Sequence, residues 1–327
     1  MPEFPAYFGT AATKLKRVIR QYLVPDNLVI RRQYRSRTGI KLNLVDPKDL
    51  SEKVQWLKLH DRSALHTMCA DKIKVRDYVA DVLGKDILVP AVRVTYDPAD
   101  ISPDVIREKR FVIKTNHDQG GVFICQDRAT FDWQGVRADV TRRLALTKYH
   151  EFREYQYKGI RPGILIENFV EAEHGGNASD LKIYCFHGQP RFIQVVVDRF
   201  ENRREAFYDP SWTRMGFKAP VKQLDEGLAR PPCLDRLLRA ASQLSEPFLF
   251  CRIDFLYGNG DRAWFGEVTF HHGAGLIRFD PPEFERAFGD MIDLSRLAET
   301  RRRQDKVTRR LISLDGGVGI QRRLRYG

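Results

Sequence analysis

The stretch "FLFCRIDFLYGNGDRAWFGEVTF" (residues 248–270) has the pattern of two apolar strands joined by a tight turn. Asn259-Gly260 at its centre is a strong signal for a two-residue β-hairpin turn. Arg252 and Asp254 lie inside the first strand, and Glu267 lies inside the second. Charged groups in an apolar strand cost free energy unless a partner compensates them. The hairpin therefore predicts that these three charges face a common partner.

A two-residue loop predicts that Asp254 pairs with Phe265 and that Arg252 pairs with Glu267. Because side chains alternate along a strand, these four residues would point to one face, with the two carboxylates roughly 7–8 Å apart at Cα. Paired carboxylates can share a cation, and their oxygen donors favour Mg²⁺ or Mn²⁺ over zinc. Two simpler interpretations stay open. The face is a solvent-exposed stripe, or Arg252 and Glu267 form a plain cross-strand ion pair that leaves Asp254 unexplained.

The composition is that of a globular protein. The chain has 327 residues, of which 43% are hydrophobic and 30% charged, enough for two or three subdomains around a buried core. It has no run of about 18 apolar residues, so no transmembrane helix is predicted. In residues 1–23 the basic cluster follows the apolar part, the reverse of a signal peptide, so we predict a cytoplasmic protein. Five widely spaced cysteines without a CxxC pair are predicted to be reduced and buried: Cys69, Cys125, Cys185, Cys233 and Cys251.

The formal net charge is +12, and much of the excess lies near the chain ends. Residues 301–327 carry nine Lys/Arg against two Asp, and residues 13–22 add four more basic side chains. Such segments are either solvated faces or attractors of an anionic surface. Zinc-finger spacing, an RNP motif and a helix-turn-helix are all missing, which disfavours nucleic acid. The predicted partners of these segments are therefore an acidic polysaccharide or the inner face of the membrane, with peripheral association.

The order of predicted elements favours an α+β architecture over a doubly wound parallel sheet. Helices and hairpins alternate in small groups along the chain. The predicted elements are helices in 46–61 and 63–84, a strand in 87–97, a hairpin with the tip "HDQGG" in 110–127, a polar helical region in 136–156, a strand from 163, two strands around 187–190, and a helix over 233–245. The sequence contains neither a GxxxxGK[ST] loop nor an HRD/DFG set, so it is neither a P-loop enzyme nor a protein kinase.

The order and spacing of these pieces resemble the ATP-grasp fold. In detail they resemble its TupA-like branch, which is linked to teichuronopeptide and capsular polysaccharide biosynthesis. The matching pieces are "LSEKVQWLKL", "ADKIKVRDYV", "FVIKTNHDQGG", "ILIENFVE", "DLKIYCFHGQPRF", "CRIDFLY" and "FGEVTFHHGAG". The resemblance implies two α+β subdomains that clasp ATP, after a helical, basic N-terminal segment. The predicted boundaries are 1–106 for that segment, 107–170 for the lid, 171–292 for the catalytic subdomain and 293–327 for a basic tail.

The resemblance also implies which residues bind the nucleotide phosphates. Lys72 and Lys114 are similar to the two phosphate-binding lysines, a task that suits a point charge on a flexible stem. Lys182 would reach the phosphates from a neighbouring strand and take part in catalysis. Gly120 and Gly121 resemble the mobile flap, where a missing Cβ lets backbone N–H groups approach phosphate oxygens. From the residues alone, Lys72 is equally an exposed helix lysine, and Lys182 is equally a strand lysine that reaches water. Lys114 is less ordinary, because it ends an apolar strand just before the glycines, which can themselves form an ordinary hairpin turn.

"ILIENFVE" resembles the hinge strand between lid and body. By resemblance, Glu167 and the backbone around Phe169 and Val170 meet the adenine. An acidic residue further along meets the ribose hydroxyls, and Glu173 is the predicted one. The spacing also allows Glu171.

By the same resemblance, the hairpin of residues 248–270 would bind the metal and the transition state. Asp254 and Glu267 would bridge Mg²⁺ (or Mn²⁺) to the ATP phosphates, and Arg252 would stabilise charge on the transferred phosphoryl group. Thr269 stands where many ATP-grasp ligases have asparagine, so its hydroxyl would ligate the metal or hold a water. "HHGAG" lies where the fold would contact substrate, so His271 and His272 are either structural histidines or substrate contacts.

The activity implied is that of an ATP- and Mg²⁺-dependent carboxylate–amine ligase. ATP would phosphorylate a carboxylate, and an amine would displace phosphate from the acyl phosphate. The acceptor implied is a carboxylated sugar or an amino acid destined for a cell-surface polysaccharide. Two alternatives stay open: a phosphotransferase on the same fold, and a non-catalytic module that binds nucleotide or polyanion.

Overall fold

The computed structural model describes residues 23–170, 179–197, 202–225, 227–258 and 262–314. The helices are α1 (Asp26–Thr38), α2 (Leu50–His60), α3 (Ala64–Ala70), α4 (Val75–Leu83), α5 (Trp133–Leu144), α6 (Tyr149–Phe152), α7 (Leu234–Ser245), α8 (Glu283–Asp290) and α9 (Leu297–Leu314). The strands are β1 (Ala91–Thr95), β2 (Phe111–Thr115), β3 (Val122–Cys125), β4 (Ile164–Asn168), β5 (Ser179–Phe186), β6 (Gln189–Val197), β7 (Arg204–Tyr208), β8 (Phe250–Tyr257) and β9 (Ala263–Thr269).

The strands form two antiparallel sheets. The small sheet has the order β1-β4-β2-β3, and the large sheet has the order β7-β6-β5-β8-β9. The predicted α+β class is therefore confirmed. β1 lies at the strand predicted in 87–97, inside the segment predicted to be mostly helical, and it pairs with β4. The small sheet thus recruits a strand that precedes residue 107.

The two faces of the large sheet are buried differently. One face packs against α7 and α4 mainly through aliphatic and cysteine side chains, among them Leu181, Ile183, Cys251 and Ile253, together with Phe255. The other face carries an aromatic cluster that includes Tyr184, Phe186, Phe192, Phe207 and Phe279. Beyond this cluster, on the same face, lie the polar residues of β5 and β8. All five cysteines are buried and none forms a disulfide, as predicted.

The register of the opening hairpin differs from the prediction. Asp254 lies opposite Glu267, Arg252 lies opposite Thr269, and Phe255 lies opposite Phe265. The predicted pairs Asp254–Phe265 and Arg252–Glu267 are therefore wrong. Two causes add up. Tyr257 pairs with Ala263, one residue away from the Tyr257–Arg262 pair that a two-residue turn requires. The register shifts by one more residue between Asp254 and Phe255.

The second shift is a β-bulge at Gly266. A bulge adds one residue to a strand. The residues before and after the bulge therefore have the opposite relative orientation to the one that strict alternation predicts. Phe265 and Val268 consequently both lie in the core cluster on the helix-covered face of the sheet. Phe265 does not share the face of Asp254, contrary to the prediction. The Asn259-Gly260 turn itself lies outside the described residues.

α2 and α9 lie near the two ends of the family of helices that pack around the large sheet. α2 begins with a capping box formed by Asp49 and Glu52, and its buried face packs against α8. α9 buries Gln304 and Leu311 while its arginines stay at the surface, so the predicted basic tail is helical as far as Leu314. Within the described residues, no helix is long and apolar enough to cross a membrane.

Candidate active site

A cleft lies between the two sheets and brings most of the predicted site residues together. The lid wall is formed by β2, β3, β4 and the residues that follow β4, and the body wall by β5, β8 and β9. The lining residues are Lys72, Val89, Val112, Lys114, Val122, Ile124, Glu167, Asn168, Phe169, Val170, Asp180, Lys182, Asp254, Phe255, Leu256, Gly266 and Glu267. The cleft thus has an apolar part between the sheets and charged groups at the body strands.

Three charged residues stand side by side across the body wall. Lys182 on β5 is opposite Asp254 on β8, which is opposite Glu267 on β9. The Lys182 Nζ atom lies 2.5 Å from Asp254 Oδ2, and both side chains are buried. Glu267 is more open, with 39% of its side chain exposed. The antiparallel register alone therefore places one cation and two anions in a row.

Arg252 completes this group. Its Nε and Nη2 atoms donate to the two carboxylate oxygens of Asp254 at 2.6 and 2.7 Å, a bidentate pair. Burial would raise the pKa of Asp254, but Arg252 and Lys182 outweigh it and hold that pKa below its usual value. Arg252 also donates to Thr269 Oγ1 at 3.1 Å, and Thr269 donates to Glu267 Oε1 at 3.0 Å. Asp254 is thus an ionised carboxylate held by two cations.

These residues can be tested as a magnesium site by their donor chemistry. Asp254 and Glu267 supply hard oxygen donors on directly opposed strands, as Mg²⁺ prefers. In the part of the chain that the structure describes, no group of three His, Cys, Asp or Glu side chains could hold a metal by itself. Mg²⁺ commonly takes one or two carboxylates and completes its shell with phosphate oxygens and water. The pair fits a magnesium ion that arrives with a nucleotide.

Glu167 organises the lid wall. Lys114 Nζ lies 2.6 Å from its Oε2 atom, and Arg76 Nη1 lies 2.7 Å from its Oε1 atom. Arg76 also donates to the carbonyl of Val89 at 2.9 Å. Glu167 is buried, so the two cations compensate a carboxylate that would otherwise be costly. Lys114 therefore sits at the cleft wall with its position fixed by Glu167.

The glycine tip between β2 and β3 is a tightly bonded turn. Thr115 hydrogen-bonds to Asp118, and Arg143 Nη1 pairs with the other Asp118 oxygen at 2.8 Å. Lys72 Nζ donates to the Asp118 carbonyl at 2.6 Å, so this lysine touches the tip directly. A Cβ atom on Gly121 would lie 1.8 Å from Thr115 Oγ1. Only glycine fits there.

Gly120 is at the tip for a different reason. Its φ of +87° is in the region that L side chains rarely adopt, although no atom would obstruct a Cβ there. Phe169 and Val170 line the cleft immediately after β4, as the hinge prediction requires. Glu173, predicted to bind ribose, and its alternative Glu171 lie outside the described residues.

His272 does not face the cleft. Both of its ring nitrogens are buried and have no hydrogen-bond partner in the described part of the chain, and its ring stacks on Phe279. Burial lowers the pKa of His272 to about 3, with Arg252 and His271 acting in the same direction. A neutral ring in an aromatic cluster fits the structural interpretation of "HHGAG".

The sequence did not single out three residues of this region. Arg76 pairs with Glu167, Asp180 lines the cleft, and Tyr184 lies beside Arg252, with the Arg252 Cζ atom 5.8 Å from its ring centre. Arg76 had a weak signal, since it follows Lys72 by four residues in "ADKIKVRDYV". Asp180 and Tyr184 flank Lys182 at alternate positions of one strand, so they share its face.

Comparison with known proteins places this geometry in a family. The chain is similar to the solved D-alanine–D-alanine ligase from Bacillus anthracis complexed with ATP, with 15% identity, 73% of this chain and 67% of that chain covered, and a TM-score of 0.39. It is similar to the ATP-grasp ligase PsnB complexed with a phosphomimetic variant of its minimal precursor, Mg and ADP, with 12% identity, coverage of 92% and 76%, and a TM-score of 0.39.

It is also similar to N5-carboxyaminoimidazole synthetase from Staphylococcus aureus, with 10% identity, coverage of 62% and 44%, and a TM-score of 0.36. No curated protein matches the chain. The profile of the TupA-like ATP-grasp family matches residues 52–293, which hold both sheets and the whole cleft between them. With well over half of its length matched, the chain belongs to the TupA-like ATP-grasp family.

Proposed function

We propose that this protein is an ATP- and Mg²⁺-dependent carboxylate–amine ligase that works through an acyl phosphate. The observation that carries the proposal is the group formed by Lys182, Asp254 and Arg252 on the wall of the cleft. It combines an anion for a metal with two cations for phosphoryl oxygens. Such preorganised charge is what phosphoryl transfer requires of a protein.

The rest of the cleft is suited to a nucleotide. Apolar side chains from both walls, such as Val112, Ile124 and Leu256, would cover the adenine. The backbone at Phe169 and Val170 would give it hydrogen bonds, and Glu173 is the proposed partner of the ribose. These assignments place the base at the lid hinge and point the phosphates at the body strands.

The phosphates would meet lysines from both walls. Lys114 and Lys72 would approach from the lid side, and Lys182 from β5. Gly120 and Gly121 would present backbone N–H groups from the tip. Asp254 and Glu267 would hold Mg²⁺, which shields the phosphate charge from an incoming carboxylate.

The reaction would then run in two displacements. A carboxylate oxygen of the acceptor attacks the γ-phosphorus, the bond to the β-phosphate oxygen breaks, and ADP leaves. The amine next attacks the carbonyl carbon, the bond from that carbon to the phosphate oxygen breaks, and the amine loses a proton. Arg252 and Lys182 would stabilise the charge that develops on the transferred phosphoryl group and on the tetrahedral centre.

The acceptor we propose is a carboxylated sugar or an amino acid used in cell-surface polysaccharide biosynthesis, in keeping with the family. Two basic helical faces support an anionic location or partner. α1 exposes Arg32, Arg35 and Arg37. α9 exposes five further basic residues: Arg301, Arg302, Lys306, Arg309 and Arg310. A cytoplasmic enzyme that works at an acidic polymer or at the inner membrane surface fits this distribution of charge.

The mechanism is tested with a carboxylate acceptor labelled with ¹⁸O. An acyl phosphate requires that one ¹⁸O atom move from the carboxylate to the released phosphate, together with ADP and an amide product. Release of AMP and pyrophosphate would overturn it. A stable phosphorylated product without an amide would favour the phosphotransferase alternative, and nucleotide binding without turnover would favour the non-catalytic module.

A further inference from the structure

Arg252 is connected to a carboxylate at the far edge of the large sheet. Glu205 on β7 has none of its surface exposed, and its Oε2 atom accepts from Gln194 Nε2 at 2.7 Å. Tyr184 on β5 donates its hydroxyl to Gln194 Oε1 at 3.1 Å. Tyr184 is in turn opposite Arg252 in the register of β5 and β8. Four residues on four strands thus form one polar chain, which we call the Glu205 chain.

The direction of every hydrogen bond in the Glu205 chain follows from Glu205. An ionised carboxylate only accepts, whereas an amide offers a donor at one end and an acceptor at the other. Gln194 must therefore turn its NH₂ group to Glu205, which leaves its oxygen for Tyr184. The hydroxyl proton of Tyr184 is then committed to Gln194, and the lone pairs of the phenol oxygen are left for the guanidinium of Arg252.

The state of Tyr184 supports this direction. Burial raises the pKa of Tyr184 to about 12, while the charge of Arg252 and a hydrogen bond from it act against that rise. Asp254 and Glu205 are the anions that add to the rise. The phenol therefore stays protonated throughout the working range of an enzyme and remains a donor to Gln194. The Arg252 Cζ atom lies 5.8 Å from the centre of the Tyr184 ring.

Stability alone does not explain Glu205. Its Oε2 atom has a second donor, Arg203 Nη2, at 3.2 Å, but its Oε1 atom is buried without a hydrogen-bond partner among the residues that the structure describes. Burying a carboxylate with one unsatisfied oxygen costs free energy, and an uncharged residue there would avoid that cost. A residue that is unfavourable for folding fits a role in orienting the site.

We infer that Glu205 is a positioning residue for the phosphoryl-transfer step: through Gln194 and Tyr184 it fixes the orientation in which Arg252 holds Asp254. The inference rests on the proposed function, because it takes Arg252 as the group that stabilises the reacting phosphoryl. It adds a residue four strands away from Glu267 that touches neither nucleotide nor metal. Its loss would slow the reaction without weakening ATP binding.

The first experiment measures ADP release by Glu205→Gln, Glu205→Asp and wild type. In Glu205→Gln the side chain can donate or accept, so Gln194 is no longer oriented. We expect kcat to fall at least tenfold, with the Kd for ATP changed less than twofold. Glu205→Asp keeps an acceptor-only group and should recover part of the lost kcat. An unchanged kcat in Glu205→Gln overturns the inference.

Glu285→Gln is the matched control. Glu285 is also fully buried, but it accepts from the backbone N–H groups of Ser51 and Phe279 and lies beside Arg278 instead of Arg252. Its loss should lower the unfolding midpoint while kcat of the folded enzyme stays within twofold of wild type. If Glu285→Gln slows kcat as much as Glu205→Gln does, the effect is general to buried acids and the inference fails.

A double-mutant cycle between Glu205→Gln and Tyr184→Phe separates this inference from the proposed function. Residues within the Glu205 chain should be coupled. The double variant should therefore have a kcat no lower than that of the slower single variant, and the shifts in unfolding midpoint should be non-additive. The unfolding cycle needs no turnover. If wild type turns over no acceptor, the proposed function fails, but the unfolding midpoints still show whether the residues of the Glu205 chain are coupled. Additive shifts in the unfolding midpoint would overturn the Glu205 chain itself.

Discussion

Asp254 on β8 and Glu267 on β9 are directly opposite each other because Gly266 forms a bulge beside them. A Cβ atom on Gly266 would lie 3.0 Å from the Asp254 carbonyl oxygen, so the strands approach closely at this point. Without the bulge, Glu267 would turn toward the helices that cover the other face. The bulge therefore keeps both carboxylates on the cleft wall, and the following predictions test what that wall does.

Asp254→Asn should abolish ATP turnover and also destabilise the fold. It leaves Arg252 and Lys182 as buried cations without their anion, which costs about 3–5 kcal/mol in the free energy of unfolding. Glu267→Gln is the comparison, since its side chain is 39% exposed and its stability cost should stay below about 1 kcal/mol. Both variants should lose the Mg²⁺-dependent part of the thermal shift with ATP. A full Mg²⁺-dependent thermal shift in Glu267→Gln would show that Glu267 is not a metal ligand.

Lys114→Met should weaken ATP binding at least tenfold, about 1.4 kcal/mol, with the protein still folded. The fold survives because Glu167 keeps Arg76 at 2.7 Å. Arg76→Met should leave the protein folded for the same reason, with Lys114 still 2.6 Å from Glu167. Only the double variant leaves the Glu167 carboxylate buried without a cation. The unfolding free energy of the double variant should therefore fall by more than the sum of the two single losses. Calorimetry of ATP binding and chemical denaturation measure the two effects, and an additive double variant would contradict this account.

Gly121→Ala should distort the glycine tip between β2 and β3 far more than Gly120→Ala does. The new methyl group of Gly121→Ala would collide with Thr115 Oγ1 at 1.8 Å and with Asp118 Oδ1 at 2.7 Å. Gly120→Ala meets no atom and suffers only the backbone strain of φ +87°, about 1–2 kcal/mol. We expect a large rise in KM for ATP in Gly121→Ala and a small one in Gly120→Ala. Equal KM values would mean that the packing of the tip does not matter for the nucleotide.

Lys58 predicts an unusual pH dependence of stability. It is buried, donates to the Ala274 carbonyl at 2.6 Å, and has its pKa lowered by burial from 10.5 to about 8, with Glu154 opposing. Between pH 8 and 10.5 the unfolded chain binds the proton and the folded chain does not, so this group makes stability rise with pH. The full contribution is on the order of 3 kcal/mol. The unfolding free energy of wild type minus that of Lys58→Met should therefore increase from pH 8 to pH 10, whereas a constant difference would assign Lys58 an ordinary pKa.

The exposed face of α9 should govern attraction to anionic surfaces. Replacing Arg302, Lys306 and Arg309 together by glutamine should weaken sedimentation with phosphatidylglycerol vesicles roughly a hundredfold, at about 1 kcal/mol per charge. The effect should fade as salt is raised, because the interaction is screened. Asp305→Asn, on the same exposed part of α9, should strengthen binding. Equal binding of the triple variant and wild type would move the proposed contact to other residues.

Much of this architecture could be predicted because its signals are local. The apolar period of 233–245 became α7, and the alternation from Leu181 to Phe186 became a strand with two distinct faces. The order of such pieces was enough to predict the α+β class and the family. Lys72, Lys114, Lys182, Asp254 and Glu267 all line the cleft, because residues at fixed points of a known topology are carried there by the backbone.

The contacts that make those residues a site join distant parts of the chain. Arg76 meets Glu167 across 91 positions, and no local pattern marks such a pair. The hairpin register was mispredicted for a related reason. A glycine within a strand permits a bulge, but its presence does not say that one forms. The bulge at Gly266 forms because Phe265 and Val268 both gain burial under the helices, which strict alternation would deny to one of them.

The location of the charges inside 248–270 on paired strands could thus be predicted, whereas their arrangement could not. Composition and spacing dictate that Arg252, Asp254 and Glu267 lie on paired strands, because strand formation and side-chain alternation act over a few residues. The side that each residue faces, and the cations that hold Asp254, depend on how the whole sheet packs against its helices. That packing is a sum over residues far apart in sequence, so it appears only in the folded chain.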